Sequence, residues 1–505
     1  MGRSGSNTER AVGRSLIEIN GARIGRLMRA LAQEKEYPMN AQDEALIVDE
    51  IVAKARKAQA DFEAGATQIR FDRAAEAAGW AIMEPARNRA LATLAVETTG
   101  LGNVPDKITK NHRKTLGLMR DIKGAVTCGI VSDDPATGIT EIARPLGVIG
   151  AVVPSTNPAA TPANNIINAL KCGNAIVVSP SPKGIAACEM LVGFVHAEFD
   201  KLGINRDLVQ MVPAPGSKAK TQRMLEITDL VIVTGSQDNV RRAYSSGTPA
   251  IGVGAGNVTV IVDETADLDA AAAKIAASKT FDNATSCSSE NALVVVDAVY
   301  DDFLAALARE GGARVADEDA IVAKLWPDGH LNRAAIAQDA DKMIAALGMA
   351  DAVPADTRFL VVETAGIGPE HKLSGEKLSR VVALYRARDF DDAAQVASTI
   401  LGYQGAGHSI GLHSSDDSRA MALGQVVPTC RVIVNQAHCF ATGGAFNNGM
   451  PFSLSMGCGS WGGNSIDDNL NWRHFTQTTK IIREIPPVEP SVDEIFGDYW
   501  AEAGA

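Results

Sequence analysis

Between residues 148 and 233 short apolar runs alternate with helix-patterned segments, and this alternation sets the fold class of that part of the chain. Val148–Val153 reads as a strand, 164–170 as a helix closed by Gly173, and 175–178 as the next strand. The pattern then repeats: 185–202 reads as a helix stopped by Gly203, 208–212 as a strand, 218–227 as a helix and 230–233 as a buried strand. Such alternation implies a parallel, doubly wound α/β sheet whose ligand crevice lies at the carboxyl ends of its strands. Those ends fall at 154–158, 179–182, 213–216 and 234–236, all rich in small, polar or turn residues. Every sheet of this class has such loops, so taken alone they say little about a ligand.

Ahead of the alternation, 41–120 is a helical lead-in rich in Ala, Glu, Lys, Arg and Leu, with Ala45, Val48, Ile51 and Val52 at helical spacing. Behind it a second α/β unit is expected from near Phe281, with strands at 293–296, 359–362, 381–384 and 431–434 and helices within 299–347. At the seam a polar loop joins the Ala-rich segment 268–277 to the apolar run 292–296, and it carries one thiol, Cys287. A thiol at an element junction near helix-terminal N–H groups can act as a nucleophile on a carbonyl. A small buried side chain is the competing reading, and the loop alone does not choose between them.

Composition narrows the partners. A formal net charge of −12, a pI near 5.3 and no basic cluster with interleaved aromatics disfavour nucleic acid and anionic membrane surfaces; small metabolites fit better. Seven widely spaced cysteines without a Cys-x-x-Cys pair suggest neither a disulfide framework nor a zinc site, and point to a reduced, cytoplasmic setting. No metal site is expected. No apolar run reaches the ~18 residues of a membrane span, and Glu9 and Glu18 count against reading the Arg-rich N-terminus as a transit peptide. Gly252-Val-Gly-Ala-Gly-Asn257 is no dinucleotide fingerprint, because its sixth residue is Asn257 and it precedes a strand at 258–262. The stretch 456–465 has no P-loop lysine. Both glycine-rich stretches suit a close approach to a ligand or another loop.

Several motifs in fixed order carry a resemblance: 145–158, 243–247 with 249–257, Lys279-Thr-Phe-Asp-Asn283 with Cys287, Gly375-Glu-Lys-Leu-Ser379, Gly405-Ala-Gly-His408 and 454–465. Together they resemble the aldehyde dehydrogenase superfamily, in its acylating, coenzyme A-dependent branch that includes the aldehyde half of bifunctional aldehyde-alcohol dehydrogenases. The resemblance implies an α/β fold with a Rossmann-like cofactor domain, an α/β catalytic domain and a small oligomerisation element. On this chain that gives an N-terminal extension at 1–40, an NAD(P)-binding domain at 41–280, a catalytic domain at 281–450, and a return segment with oligomerisation tail at 451–505. It also implies a homo-oligomer, a dimer or tetramer.

The chemistry so implied is addition of Cys287 to an aldehyde, hydride transfer to NAD or NADP, and release of the acyl group to coenzyme A as co-substrate. The oxyanion donor is Thr156 or Asn157, since the superfamily's Pro-x-Asn-x-Pro spacing falls on Thr156 with Asn157 one step later. Hydrolytic relatives carry a general-base Glu where this chain has Gly252, which leaves water without a base and favours the coenzyme A thiol. His408 matches a histidine treated as catalytic in this branch. For the cofactor, Glu376 takes the place of the nicotinamide-ribose carboxylate and Gly235-Ser236 that of the pyrophosphate turn. Ser179, followed by Pro180, replaces the usual adenosine-ribose Lys, and Gly252 and Gly254 belong to the same cofactor set. The tail and its ending at 498–500 resemble the acylating sulfoacetaldehyde dehydrogenases, which puts sulfoacetaldehyde ahead of acetaldehyde. Arg380 or Arg473 is then expected to pair with the substrate's anionic group.

Overall fold

The computed structural model describes residues 41–504, so the expected extension at 1–40 lies outside the described residues. From Val48 onward the described residues form one compact unit. The lead-in is helical, as expected: α1 (Ala41–Ala64), α2 (Gln68–Met83), α3 (Pro85–Thr99) and α4 (Val104–Ile122). The start of α4 is set by Asn103, whose Oδ1 accepts from the Asp106 amide at 2.9 Å, with Pro105 in the first turn. Gly117 in α4 lets the Phe452 ring approach closely, since a Cβ there would lie 2.2 Å from ring atoms.

A hairpin of β1 (Gly129–Asp134) and β2 (Ile139–Pro145) follows, and then the expected alternation: β3 (Val148–Val153), α5 (Ala160–Lys171), β4 (Ala175–Pro180), α6 (Ile185–Leu202), β5 (Val209–Met211), α7 (Lys218–Ile227), β6 (Leu230–Val233), α8 (Gln237–Tyr244) and β7 (Ala250–Gly252). These strands form a five-stranded parallel sheet in the order β5-β4-β3-β6-β7. Chain order reverses between β3 and β6, which opens a crevice at their carboxyl ends. All residues of β3, β4 and β6 are buried, the condition for runs of Val and Ile with no polar alternation.

The second sheet has seven parallel strands in the order β10-β11-β12-β9-β8-β13-β14, from β8 (Val258–Val262), β9 (Glu290–Val296), β10 (Gly312–Val315), β11 (Phe359–Glu363), β12 (Val381–Ala387), β13 (Ile410–His413) and β14 (Val432–Val434). The run at 258–262 lies within the range expected for the cofactor domain. It pairs here with β9 and β13, and all five of its residues are buried. The helix α9 (Leu268–Thr280) packs on this sheet as well. β15 (Thr476–Ile482) crosses back to pair antiparallel with β2, giving a three-stranded sheet β1-β2-β15. Before it, Phe452, Leu470 and Phe475 are buried in the core of the first sheet. Beyond it, Val492–Ala503 is a helix with no buried residue. No helix among the described residues is long and apolar enough to cross a membrane.

Candidate active site

Cys287 sits where its sequence context placed it, in the loop between α9 and β9. Three consecutive non-glycine residues in that loop, Asp282, Asn283 and Ala284, have φ of 47°, 54° and 59°. Each left-handed residue of this kind costs on the order of 1 kcal/mol, so the turn survives only because its side chains are tied down. The buried Asp282 carboxylate accepts from Lys110 Nζ at 2.5 Å, Lys107 Nζ at 3.1 Å, Thr285 Oγ1 at 2.7 Å and the Asn103 amide at 3.1 Å. Burial works against its charge, but Lys110 and Lys107 more than offset this and hold it below the usual carboxylate range. On the other side Gly256 backs onto the nucleophile: a Cβ there would lie 2.0 Å from the Cys287 carbonyl oxygen and 2.6 Å from its Cβ.

Cys287 opens into a cavity of about 460 Å³ that also receives the loops after β3 and β6, the two strands flanking the order reversal. Of the residues singled out from sequence, Thr156, Asn157, Gly235, Ser236, Gly254 and Glu376 line it together with Cys287. The geometry also separates Thr156 from Asn157. Lys110 Nζ donates to Asn157 Oδ1 at 3.0 Å, and because an ammonium can only donate, the amide orientation is fixed with its nitrogen left as a donor. Lys107 Nζ takes the Thr156 carbonyl oxygen at 3.0 Å. Glu376 is positioned through its amide, which donates to Gln404 Oε1 at 3.0 Å.

The other expected residues lie off the cavity wall. His408 is buried just before β13, its Nδ1 is 2.7 Å from Ser409 Oγ, and burial pushes its pKa down to about 3. His408 is not among the residues lining the cavity. Ser179 and Pro180 end β4, with Ser179 Oγ 3.0 Å from Thr221 Oγ1. Gly252 ends β7, and its missing Cβ faces Val240 and Tyr244 rather than the thiol. Arg380 is committed to Asn283 Oδ1 through Nε at 3.2 Å and through Nη2, and it borders the strained turn rather than the cavity. Arg473 stacks on Trp472 at 4.7 Å. Neither Arg380 nor Arg473 is among the residues lining the cavity.

Sequence reading missed the basic face of α4. Lys110, Arg113 and Lys114 all line the cavity. The available signal was their spacing with Lys107, at i, i+3, i+6 and i+7 on one helix, where an apolar stripe would be expected if that face met only core. The electrostatics follow from enclosure. Burial pushes the Cys287 thiol up to about 12, with Glu376 and Cys458 adding and Lys110 opposing. Burial also lifts Glu376 to about 8 against the pull of Lys279 and Lys377, and lowers Lys114 to about 7. Glu376 is the one carboxylate among the residues lining the cavity.

The crevice fits a dinucleotide. Ser236 caps α8, so a helix N-terminus faces the loops of the order reversal, and a Cβ on Gly235 would meet nothing within 4 Å. Ser181 Oγ, just past β4, is buried without a hydrogen-bond partner. Tied behind this space, Asn464 Oδ1 accepts from the Gly254 and Cys458 amides, each at 2.9 Å, so the two glycine-rich stretches do approach one another closely.

Fold, nucleophile loop and cofactor crevice together define a thiol-dependent aldehyde oxidoreductase, and the chain belongs to the aldehyde dehydrogenase family, whose profile matches residues 32–319. Within that family it is similar to an acylating sulfoacetaldehyde dehydrogenase of Cupriavidus necator, 56% identical over 466 residues that cover 92% of this chain and 94% of the relative. It is also similar to an acylating sulfoacetaldehyde dehydrogenase of Bilophila wadsworthia, 38% identical over 90% of this chain and 99% of the relative. A solved acetylating aldehyde dehydrogenase from Geobacillus thermoglucosidasius superposes with a TM-score of 0.85 at 31% identity, covering 89% of this chain and 99% of that one.

Proposed function

We propose that this chain is a coenzyme A-acylating, NAD(P)-dependent aldehyde dehydrogenase that converts sulfoacetaldehyde reversibly to sulfoacetyl-CoA. The observation that carries this reading is Cys287 on the wall of a cavity whose lining offers a single carboxylate, Glu376, itself lifted to about 8 by burial. The similarity to acylating sulfoacetaldehyde dehydrogenases supports the substrate.

In the proposed reaction the Cys287 sulfur adds to the aldehyde carbon, and the oxygen takes up the negative charge. Asn157, oriented by Lys110, donates its amide hydrogens to that oxygen together with the Cys287 backbone N–H. Glu376, Gly235, Ser236 and Gly254 would hold the dinucleotide, with Ser179 and Pro180 bordering its adenosine end. When bound, the nicotinamide supplies the hydride acceptor and a positive ring charge that favours the Cys287 thiolate. Loss of hydride leaves a thioester on Cys287. Water is a poor nucleophile without a base, and the cavity lining offers no carboxylate besides Glu376, which is assigned to the dinucleotide; the coenzyme A thiol takes the acyl group instead. His408 has no part in this sequence of steps.

We assign cofactor binding to the five-stranded sheet and the thiol to the seven-stranded sheet, with the boundary ahead of Val258. Seven free cysteines suit a reducing cytoplasm. The exposed apolar residues of the tail, among them Ile482, Val492, Ile495 and Phe496, suit contact with a second copy, so the protein is expected to elute as a dimer or tetramer when sized by light scattering. The reaction is tested by following NAD(P)H with sulfoacetaldehyde, with and without coenzyme A. Sustained turnover that requires coenzyme A and yields a thioester supports the proposal; equal turnover without it, with free acid as product, overturns it.

A further inference from the structure

The basic residues of α4 that face inward fall into two pairs with different surroundings. Lys107 and Lys110 share the carboxylate of Asp282. Arg113 and Lys114 line the cavity of Cys287, and neither forms an ion pair with any acidic side chain among the described residues. Arg113 Nη2 donates to the Phe440 carbonyl at 3.1 Å, and its guanidinium carbon lies 5.2 Å and 5.6 Å from the Phe440 and Phe452 ring centroids. Lys114, buried, donates to the carbonyl oxygens of Gly443 at 2.5 Å and Ser453 at 3.1 Å, with Nζ 5.7 Å from the Phe452 centroid. Carbonyls and ring faces aim the two cations without cancelling their charge.

Arg113 and the buried Lys114 are adjacent basic groups without an acidic partner, and burial together with Arg113 disfavours the charged form of Lys114, so an incoming anion would favour the charged form and bind to both. Glu376, the one carboxylate among the residues lining the cavity, forms no ion pair with either of them, and its amide is tied to Gln404 Oε1 at 3.0 Å. Lys114 and Cys287 line the same cavity. We propose that Arg113 and Lys114 form the subsite that binds the substrate's sulfonate and so places its aldehyde carbon at Cys287. The assignment rests on the function proposed above. A sulfonate is ionised at every working pH and presents three oxygens; a guanidinium fork beside an ammonium matches that group, and one methylene between sulfonate and carbonyl keeps the reach short.

The test compares kcat/KM for sulfoacetaldehyde and for uncharged propionaldehyde in the parental enzyme and in Arg113→Met, Arg113→Lys and Lys114→Met. Loss of a charge-assisted contact is expected to lower the sulfoacetaldehyde-to-propionaldehyde ratio about 10- to 100-fold in each Met variant, chiefly through KM. Arg113→Lys, which keeps the charge, is expected to recover part of that loss. If Lys114→Met does not fold, the two Arg113 variants carry the test, since that side chain is only partly buried and makes one hydrogen bond. Equal losses for both aldehydes would assign Arg113 and Lys114 to packing and overturn the subsite. A parental enzyme that forms no NAD(P)H with coenzyme A and either aldehyde would overturn the proposed function, and the subsite with it.

Discussion

Gly256→Ala perturbs the nucleophile without touching its chemistry. Its new methyl would stand 2.0 Å from the Cys287 carbonyl oxygen and 2.6 Å from the Cys287 Cβ, where ordinary contact begins near 3.4 Å, so one backbone must retreat by more than an ångström. The obstacle is peptide backbone rather than the end of a flexible side chain. The Cys287 side is pinned through Asp282 to Lys107 and Lys110, and the Gly256 side through Asn257, whose Nδ2 donates to the Ser374 carbonyl at 2.8 Å. Overpacking of this kind costs about 1–3 kcal/mol, which a domain of this size tolerates. A displacement of about 1 Å at the reacting sulfur costs on the order of 100-fold in rate. The expected outcome is a folded variant, verified by urea unfolding, with kcat for coenzyme A-dependent NAD(P)H formation down about 100-fold. A folded Gly256→Ala enzyme within threefold of the parental kcat would refute the idea that the nucleophile loop is held rigidly against this glycine.

Three further outcomes follow from the same geometry. Lys110→Met frees the Asn157 amide and removes a cation from the thiol, so kcat should fall about 100-fold, the scale of a lost oxyanion donor, and steady-state assays would show it. Asp282 titrates below its unfolded value near 4, so its stabilisation is present above that pH and lost as pH falls through the folded value. Asp282→Asn should therefore cost about 3–5 kcal/mol in urea unfolding at pH 7, with the gap to the parental protein narrowing on acidification; a gap independent of pH would contradict the assignment. With the thiol pushed up to about 12, alkylation of Cys287 in the enzyme without cofactor should rise about tenfold per pH unit from pH 7 to 9, whereas a plateau near pH 8 would contradict it.

The first sheet was legible because its strands are buried on both faces, which leaves continuous apolar runs such as Val148–Val153 and Leu230–Val233. Short β7 and β13 escaped notice, since three or four residues give no period to read. Cys287, Asn157 and Glu376, far apart in sequence and joined only by motif order, line one cavity. Arg380 and His408 show what a motif does not give, the partners a side chain meets in the fold: Arg380 bonds Asn283, and His408 is buried beside Ser409. The cations of α4 were missed because they are remote in sequence from every motif, and only folding brings Arg113 and Lys114 to Cys287.

The most direct measurement is intact-protein mass after the enzyme is mixed with sulfoacetaldehyde and NAD(P)+ in the absence of coenzyme A. A persistent sulfoacetyl adduct on Cys287 is expected, with NAD(P)H formed in proportion to subunits and then stopping, and with the adduct discharged when coenzyme A is added. Continuous NAD(P)H formation with no adduct and free acid as product, or the same turnover from Cys287→Ala, would contradict it.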